Sequence, residues 1–205
     1  MISWGGVFLD LTQKILKGVQ DAGGGDEDIH RLVTPGGEST IEEIVRAIMR
    51  KLSLLATVKV VGDHKFVARE RLQSANIVWT GQTFATTFLG VEEGTFSKDI
   101  NISCPRSECE WPLILEELGH NADINLSYFF RLLGGQANGK KGHLVVDGNC
   151  NIASIVGPRD GKQLAVYAYW PPGSKGWHVD ASHSVPLRWS SACRVISIAP
   201  VQRAF

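Results

Sequence analysis

Near the end of the chain, His178, Asp180 and His183 form an HxDxxH string, residue types that ligate a metal while leaving a position open. Side chains alternate across an extended strand, however, so His178 and Asp180 share one face and His183 falls on the other. A solvated or recognition surface accounts for the string with fewer assumptions than a metal site. Cys104 and Cys109 are spaced more widely than a redox CxxC and could form half a zinc site, but no second cysteine pair completes it. Cys193 has no neighbouring histidine or acid in sequence to activate it, which argues against a nucleophile. Calcium-dependent sugar binding needs oxygen ligands such as a Glu-Pro-Asn string, and the chain has none. Four cysteines in 205 residues are too few for a disulfide scaffold. The expectation is free thiols, no metal and no cofactor.

Alternation in the same region is more informative. In 166–170, a strand places Tyr167 and Tyr169 on one face and Val166, Ala168 and Trp170 on the other. In 177–182 it separates His178, Asp180 and Ser182 from Trp177, Val179 and Ala181. One face builds a core; the other offers hydroxyl, imidazole and carboxylate groups. Any half-solvated antiparallel sheet alternates in this way, so the pattern by itself leaves both a binding surface and a plain solvated face open.

These strands need a scaffold. Val7, Leu11, Ile15 and Val19 recur at helical spacing and the run ends at Gly23, Gly24 and Gly25. Ser39 with Glu42 makes a capping box for a second helix, whose apolar stripe is Ile41, Ile44, Val45, Ile48, Met49 and Leu52. That stripe buries on the main domain or self-associates as a coiled bundle. From Ala56 the pattern turns to β, at 57–61, 65–68, 77–79 and 83–89. Short helices fit 112–118 and 124–133, the latter stopped by Gly134 and Gly135. Strands return at 143–146, 151–156, 164–170, 177–181 and 195–198, divided by turn residues. The expected class is α+β, a domain over 56–205 behind an N-terminal helical extension and linker over 1–55.

Lys plus Arg equals Asp plus Glu at 21 each, so no overall field draws nucleic acid or an anionic membrane. The opening residues place Asp10 within their apolar stretch and Lys14 and Lys17 after it, the reverse of a signal peptide. No apolar run approaches the roughly 20 residues that span a bilayer. The expected location is the cytoplasm or a virus particle assembled there, without membrane insertion.

A resemblance sharpens this. Lys65 to Arg69, Phe88-Leu89-Gly90, Ile114 to Gly119, Gln136 to Gly139 through Gly142, and Asn149-Cys150-Asn151-Ile152 run in an order similar to the variable proteins of diversity-generating retroelements. The ending, with Ala165-Val166, Trp170, Gly176-Trp177, Val179, Ala181, Ser184-Val185, Pro186, Trp189 and Val195 to Ser197, resembles that family's closing region. The likeness covers roughly residues 56 to 198. It implies a C-type-lectin-like fold of mixed antiparallel sheets, two short helices and long C-terminal loops. It also implies that a reverse transcriptase rewrites chosen adenine-containing codons over about 165–197, so the protein is the target of diversification and no enzyme.

Codons of the AAY type, once rewritten, never encode Lys, Gln, Glu, Met or Trp. From Tyr167 to Arg194 there is no Gln, Glu or Met, and the excluded types present are Lys175, Trp170, Trp177 and Trp189. The resemblance assigns as variable, ligand-binding positions Tyr167, Tyr169, Pro171, His178, Asp180, Ser182, Leu187, Arg188, Ser190 and Cys193, with Pro172, Ser174, His183, Ser191 and Ala192 as weaker candidates. The three tryptophans of this stretch are framework. The implied partner is a macromolecule, a protein above all, because Tyr and Arg combine large contact area with a polar end. Two other classes stay open: a lectin-fold metal- or cysteine-dependent enzyme, since the formylglycine-generating enzymes share the scaffold, and a structural virion component without a diversified site.

Overall fold

The computed structural model describes residues 50–182 and 188–200 and, before them, positions 13, 14, 16, 17, 24, 25 and 27. The chain divides into two compact units, Met1–Arg50 and Lys51–Phe205. Of the expected N-terminal helices, the first is described only at positions 13, 14, 16 and 17, all helical, and the body of the second lies outside the described residues. Leu52 does not close that helix's apolar stripe. It opens a strand, ahead of Ala56 where the sequence placed the change to β.

Among the described residues the strands are β1 (Leu52–Val60), β2 (Phe66–Val67), β3 (Ile77–Thr80), β4 (Glu92–Glu93), β5 (Lys98–Pro105), β6 (Cys109–Glu110), β7 (Cys150–Val156), β8 (Gln163–Tyr169), β9 (Trp177–Ser182), β10 (Arg188–Trp189) and β11 (Arg194–Ile198). The helices are α1 (Ala68–Arg71), α2 (Gln82–Phe88), α3 (Trp111–Leu118) and α4 (Leu126–Gly135). Seven strands make one sheet in the order β1-β5-β11-β7-β8-β9-β3, and β10-β6 and β2-β4 form two small ribbons. The large sheet is mixed: β11 runs parallel to β7 and β3 parallel to β9, while the other neighbours are antiparallel. The architecture is α+β, a large mixed sheet with a few short helices.

Alternation along the strands covers this sheet on both faces. Val166 and Ala168 of β8, Ala153 and Ile155 of β7 and Ile196 of β11 enter the main core, with Phe129, Phe130 and Leu133 of α4 and Phe84 and Phe88 of α2. Their strand neighbours Ala165, Ile152 and Val195 enter a smaller core on the other face, with Trp111 and Ile114 of α3 and Trp189 of β10. A bulge between Leu54 and Ala56 lets β1 serve both: Leu52 joins the smaller core, whereas Val60 joins the main one.

Four departures from the expected elements have physical causes. Residues 83–89, rich in Thr and Phe, read as a strand but lie mostly within α2, because Phe84 and Phe88, four apart, share one helix face and are fully buried. Residues 143–146 form no strand. Side-chain amides satisfy their backbone instead: Leu144 N donates to Gln136 Oε1 at 2.8 Å and Gln136 Nε2 donates to Leu144 O at 3.2 Å. Asn151 does the same for Val145, accepting from its N and donating to its O, each at 2.9 Å. Conversely, β5 was not expected, although Ile100 and Ile102 alternate with polar residues and are fully buried. Helix α4 also departs at its start, where Glu93 of β4 accepts from Ser127 N at 2.7 Å and supplies the cap that Asn125 does not.

Candidate functional site

Register brings the aromatic residues of the last strands into rows across the sheet. Cys150 of β7 faces Tyr169 of β8, Tyr169 faces His178 of β9, and His178 faces Trp79 of β3. The His178 ring lies between the other two, 5.5 Å from Tyr169 and 5.4 Å from Trp79 between centroids, and it stacks on the indole at an interplanar angle of 29°. Trp79 is 44% exposed. Such contacts hold aromatic surface in place at little entropy cost, as a recognition face requires.

Trp79 was absent from the expected site. By strict alternation it would share the inward face of Ile77, but the β3–β9 pairing slips between these residues: Ile77 faces Trp177, and Trp79 faces His178. The slip turns the indole to the display side. Only the exposed size of the residue could have signalled it, and a strand tryptophan is more often core.

The adjacent row behaves differently. Ile152 faces Tyr167, and Tyr167 faces Asp180. Tyr167 packs on Trp189 at 6.0 Å between centroids. Burial, and then the Asp180 charge, push its phenol pKa up. The Asp180 carboxylate accepts from Ala181 N at 2.8 Å and from Phe84 N at 3.4 Å in the first turn of α2. It sits so close to Gly81, the N-cap of that helix, that a Cβ there would come within 1.9 Å of it. Asp180 is thus a support that fixes α2 against β9, which runs against free variation at this position.

Of the framework tryptophans, Trp177 and Trp189 are buried and Trp170 is half-buried. Trp177 is fully buried and donates from Nε1 to Leu133 O at 3.1 Å. Trp170 meets it edge-on at 5.2 Å between centroids and closes over Gly139, whose positive φ of 66° and missing side chain leave room for the indole. Trp189 is 6% exposed in the smaller core, its Nε1 without a partner among the described residues.

The remaining predicted positions scatter. Pro171 is half-buried and opens a turn in which its carbonyl accepts from Ser174 N at 2.9 Å. Asn76 anchors that loop by donating to Lys175 O at 2.7 Å. In the loop, Pro172 is exposed and Ser174 is half-buried. Ser182 is half-buried and faces Ala165. Arg188 is exposed and pairs with Glu110 at 3.2 Å. Ser190, Ser191 and Ala192 are exposed on the turn before β11. Leu187 and His183 lie outside the described residues. Cys193 is a correction: 6% exposed, it packs with Cys109, Ile152, Trp189 and Val195, so it cannot meet a ligand. Its neighbour Ser190 is on the surface, at the start of the turn closed by Cys193 N donating to Ser190 O, with its hydroxyl 4.0 Å from the Cys193 sulfur.

Chemically, the face offers rings, one imidazole and a guanidinium, and no nucleophile stands beside a base among its described residues. All four cysteines are free thiols. Burial, reinforced by the Cys193 thiol, pushes the Cys150 pKa up to about 12, and burial raises that of Cys109, so neither is an activated thiolate. Among the described residues, no three His, Cys, Asp or Glu side chains group to hold a metal ion. A cleft of about 740 Å³ lies elsewhere, lined by Thr95, Phe96, Lys98, His120 and Asp123, but Asp123 is already bound to Ser154 and Gln163. No described helix is long and apolar enough to cross a membrane. Compared with known proteins, the chain matches no family model, no curated protein and no solved structure.

Proposed function

We propose that the chain is a diversified recognition protein, a C-type-lectin-like domain whose closing strands are the target of retroelement-driven adenine mutagenesis and bind a macromolecular partner, a protein, without metal and without turnover. The observation that carries this reading is the ring row Tyr169, His178 and Trp79 on one face, backed by buried Trp177 and edge-on Trp170. Two of its members fall at positions assigned as variable and one, Trp79, lies far upstream of them. Such a face combines changeable contacts with a fixed anchor, and aromatic anchors dominate the energy of many interfaces. Arg188, exposed on the β10–β6 ribbon, extends the polar rim. The reading places the protein in the cytoplasm or on a virus particle, in a viral, bacterial or archaeal setting.

Two measurements test it. Sequencing the DNA beside the gene should find a near-copy of the 3′ end, differing at adenines, next to a reverse-transcriptase gene. Sequencing the gene across a population should find substitutions concentrated at Tyr169, Pro171, His178, Ser182, Arg188 and Ser190 while Trp170, Trp177 and Trp189 stay constant. A gene with no such copy, and with substitutions spread evenly, would overturn the reading.

A further inference from the structure

Two cysteines that the recognition surface does not use stand beside one another on the same face of the sheet, at the smaller core. Strands β7 and β11 run parallel, with Ile152 facing Val195 and Asn151 facing Arg194. Both Ile152 and Val195 point into the smaller core. Counting back two residues on each strand keeps the face and the register, and arrives at Cys150 on β7 and Cys193 at the entry to β11. Their burial agrees: Cys193 belongs to the smaller core and Cys150 packs against it. Neighbouring strands lie about 4.8 Å apart, inside the Cα separation of about 4.4 to 6.8 Å that a disulfide spans.

We propose that Cys150 and Cys193 are a disulfide-forming pair, oxidised by a small-molecule disulfide of the glutathione class, and that the bond straps the turn before β11 to β7. Cys150, the more exposed of the two, reacts first: its thiolate attacks the small disulfide, forms a mixed disulfide and releases one small thiolate. Cys193 as thiolate then attacks the Cys150 sulfur, the protein disulfide forms, and the second small thiolate leaves. The two protons given up by the cysteines end on the two released thiols, so two protein thiols are oxidised and one small disulfide is reduced. Because the Cys150 pKa is raised to about 12, the thiolate is scarce near neutrality and the reaction quickens about tenfold per pH unit below that value.

The strap acts on the display side of the molecule. Cys193 closes the turn that begins at Ser190, and Trp189 just before it carries the Tyr167 ring. Oxidation therefore fixes the loop from Trp189 to Cys193 against the sheet. The pair itself rests on register and packing, and it stands whether or not the recognition reading does.

The test uses the full chain, incubated with oxidised glutathione at about pH 9, alkylated, digested and mapped by mass spectrometry. The expected result is a linked pair of peptides containing Cys150 and Cys193, lighter than their sum by two hydrogen atoms and reversed by dithiothreitol. The thermal midpoint should rise by roughly 5 °C on oxidation. Cys104→Ser should keep the link, and Cys150→Ser should lose it. A stable glutathione adduct on Cys150 alone, a link between Cys104 and Cys109, or no link would overturn the proposal. If a variant fails to fold, the wild-type peptide map decides.

Discussion

Two rows of side chains on β8 and β9 lie two residues apart on the same face of one sheet, yet they do opposite work. Tyr169 and His178 end in a partly exposed stack with Trp79. Tyr167 and Asp180 are taken up by structure, the first under Trp189 and the second at the start of α2. The difference lies not in residue type, since both rows hold a tyrosine and a titratable partner, but in what covers them. The β10–β6 ribbon and α3 pack over the Tyr167 end of the face, whereas the other end closes on Trp79, which is 44% exposed. On the proposed reading, recognition uses the part of the polar face that the fold itself leaves unused.

The strongest challenge to this comparison is removal of what lies beneath both rows. Trp177→Ala deletes a fully buried indole and its bond to Leu133 O, and should destabilise the fold by about 3 to 5 kcal/mol in chemical denaturation. A variant as stable as the parent would make Trp177 a surface residue and dissolve the distinction between support and display.

Asp180 should separate the rows next. Asp180→Ala removes acceptors from α2 and should cost about 1 to 2 kcal/mol, as for loss of a helix cap. Gly81→Ala should also destabilise, because the added Cβ meets the Asp180 carboxylate, and its effect should shrink in the Asp180→Ala background. Strict additivity in that double-mutant cycle would mean that the two do not touch in solution, leaving Asp180 to the display row.

Alkaline titration probes the covered groups together. Burial raises the pKa of Cys150 from 9.0 to about 12 and raises those of Tyr167 and Tyr128 above their usual 10.0. The folded state thus retains protons that the unfolded chain has released. The sign follows: this stability is intact below about pH 9 and is lost as pH rises from there through 12. Denaturation midpoints should fall over that window, and Cys150→Ser should flatten the early part of the decline. A midpoint constant to pH 11 would show these groups to be open to water.

The smallest effect on stability belongs to the display row. Trp79→Ala and Tyr169→Ala should each shift stability by no more than about 0.5 to 1 kcal/mol. A folded Trp79→Ala, Tyr169→Ala, His178→Ala variant should nonetheless lose at least about tenfold in affinity for its partner, which is about 1.4 kcal/mol. Unchanged affinity would move the contact surface away from this face.

The sequence carried the periodic part of this protein. Alternation over 164–170 and 177–182 announced which side chains of β8 and β9 point inward, and the buried Trp177, Val179 and Ala181 accord with it. Glycine punctuation placed the end of α4 to within two residues, the helix running on through Gly134 and Gly135, and the spacing of Pro112 placed the start of α3. Such signals are local, since each depends only on the geometry of a few consecutive residues.

Tertiary structure decided everything that depends on a partner far along the chain. Residues 83–89 became helical because Phe84 and Phe88 fit a core that the segment cannot specify by itself. Leu144 and Val145 left the sheet because the amides of Gln136 and Asn151 occupied their backbone. Trp79 reached the display face through one slip in pairing with a strand about a hundred residues later, and Cys193 left it by packing under Trp189. A strand's period says that two faces exist, but which one is roofed is set by distant elements whose packing outweighs local propensity.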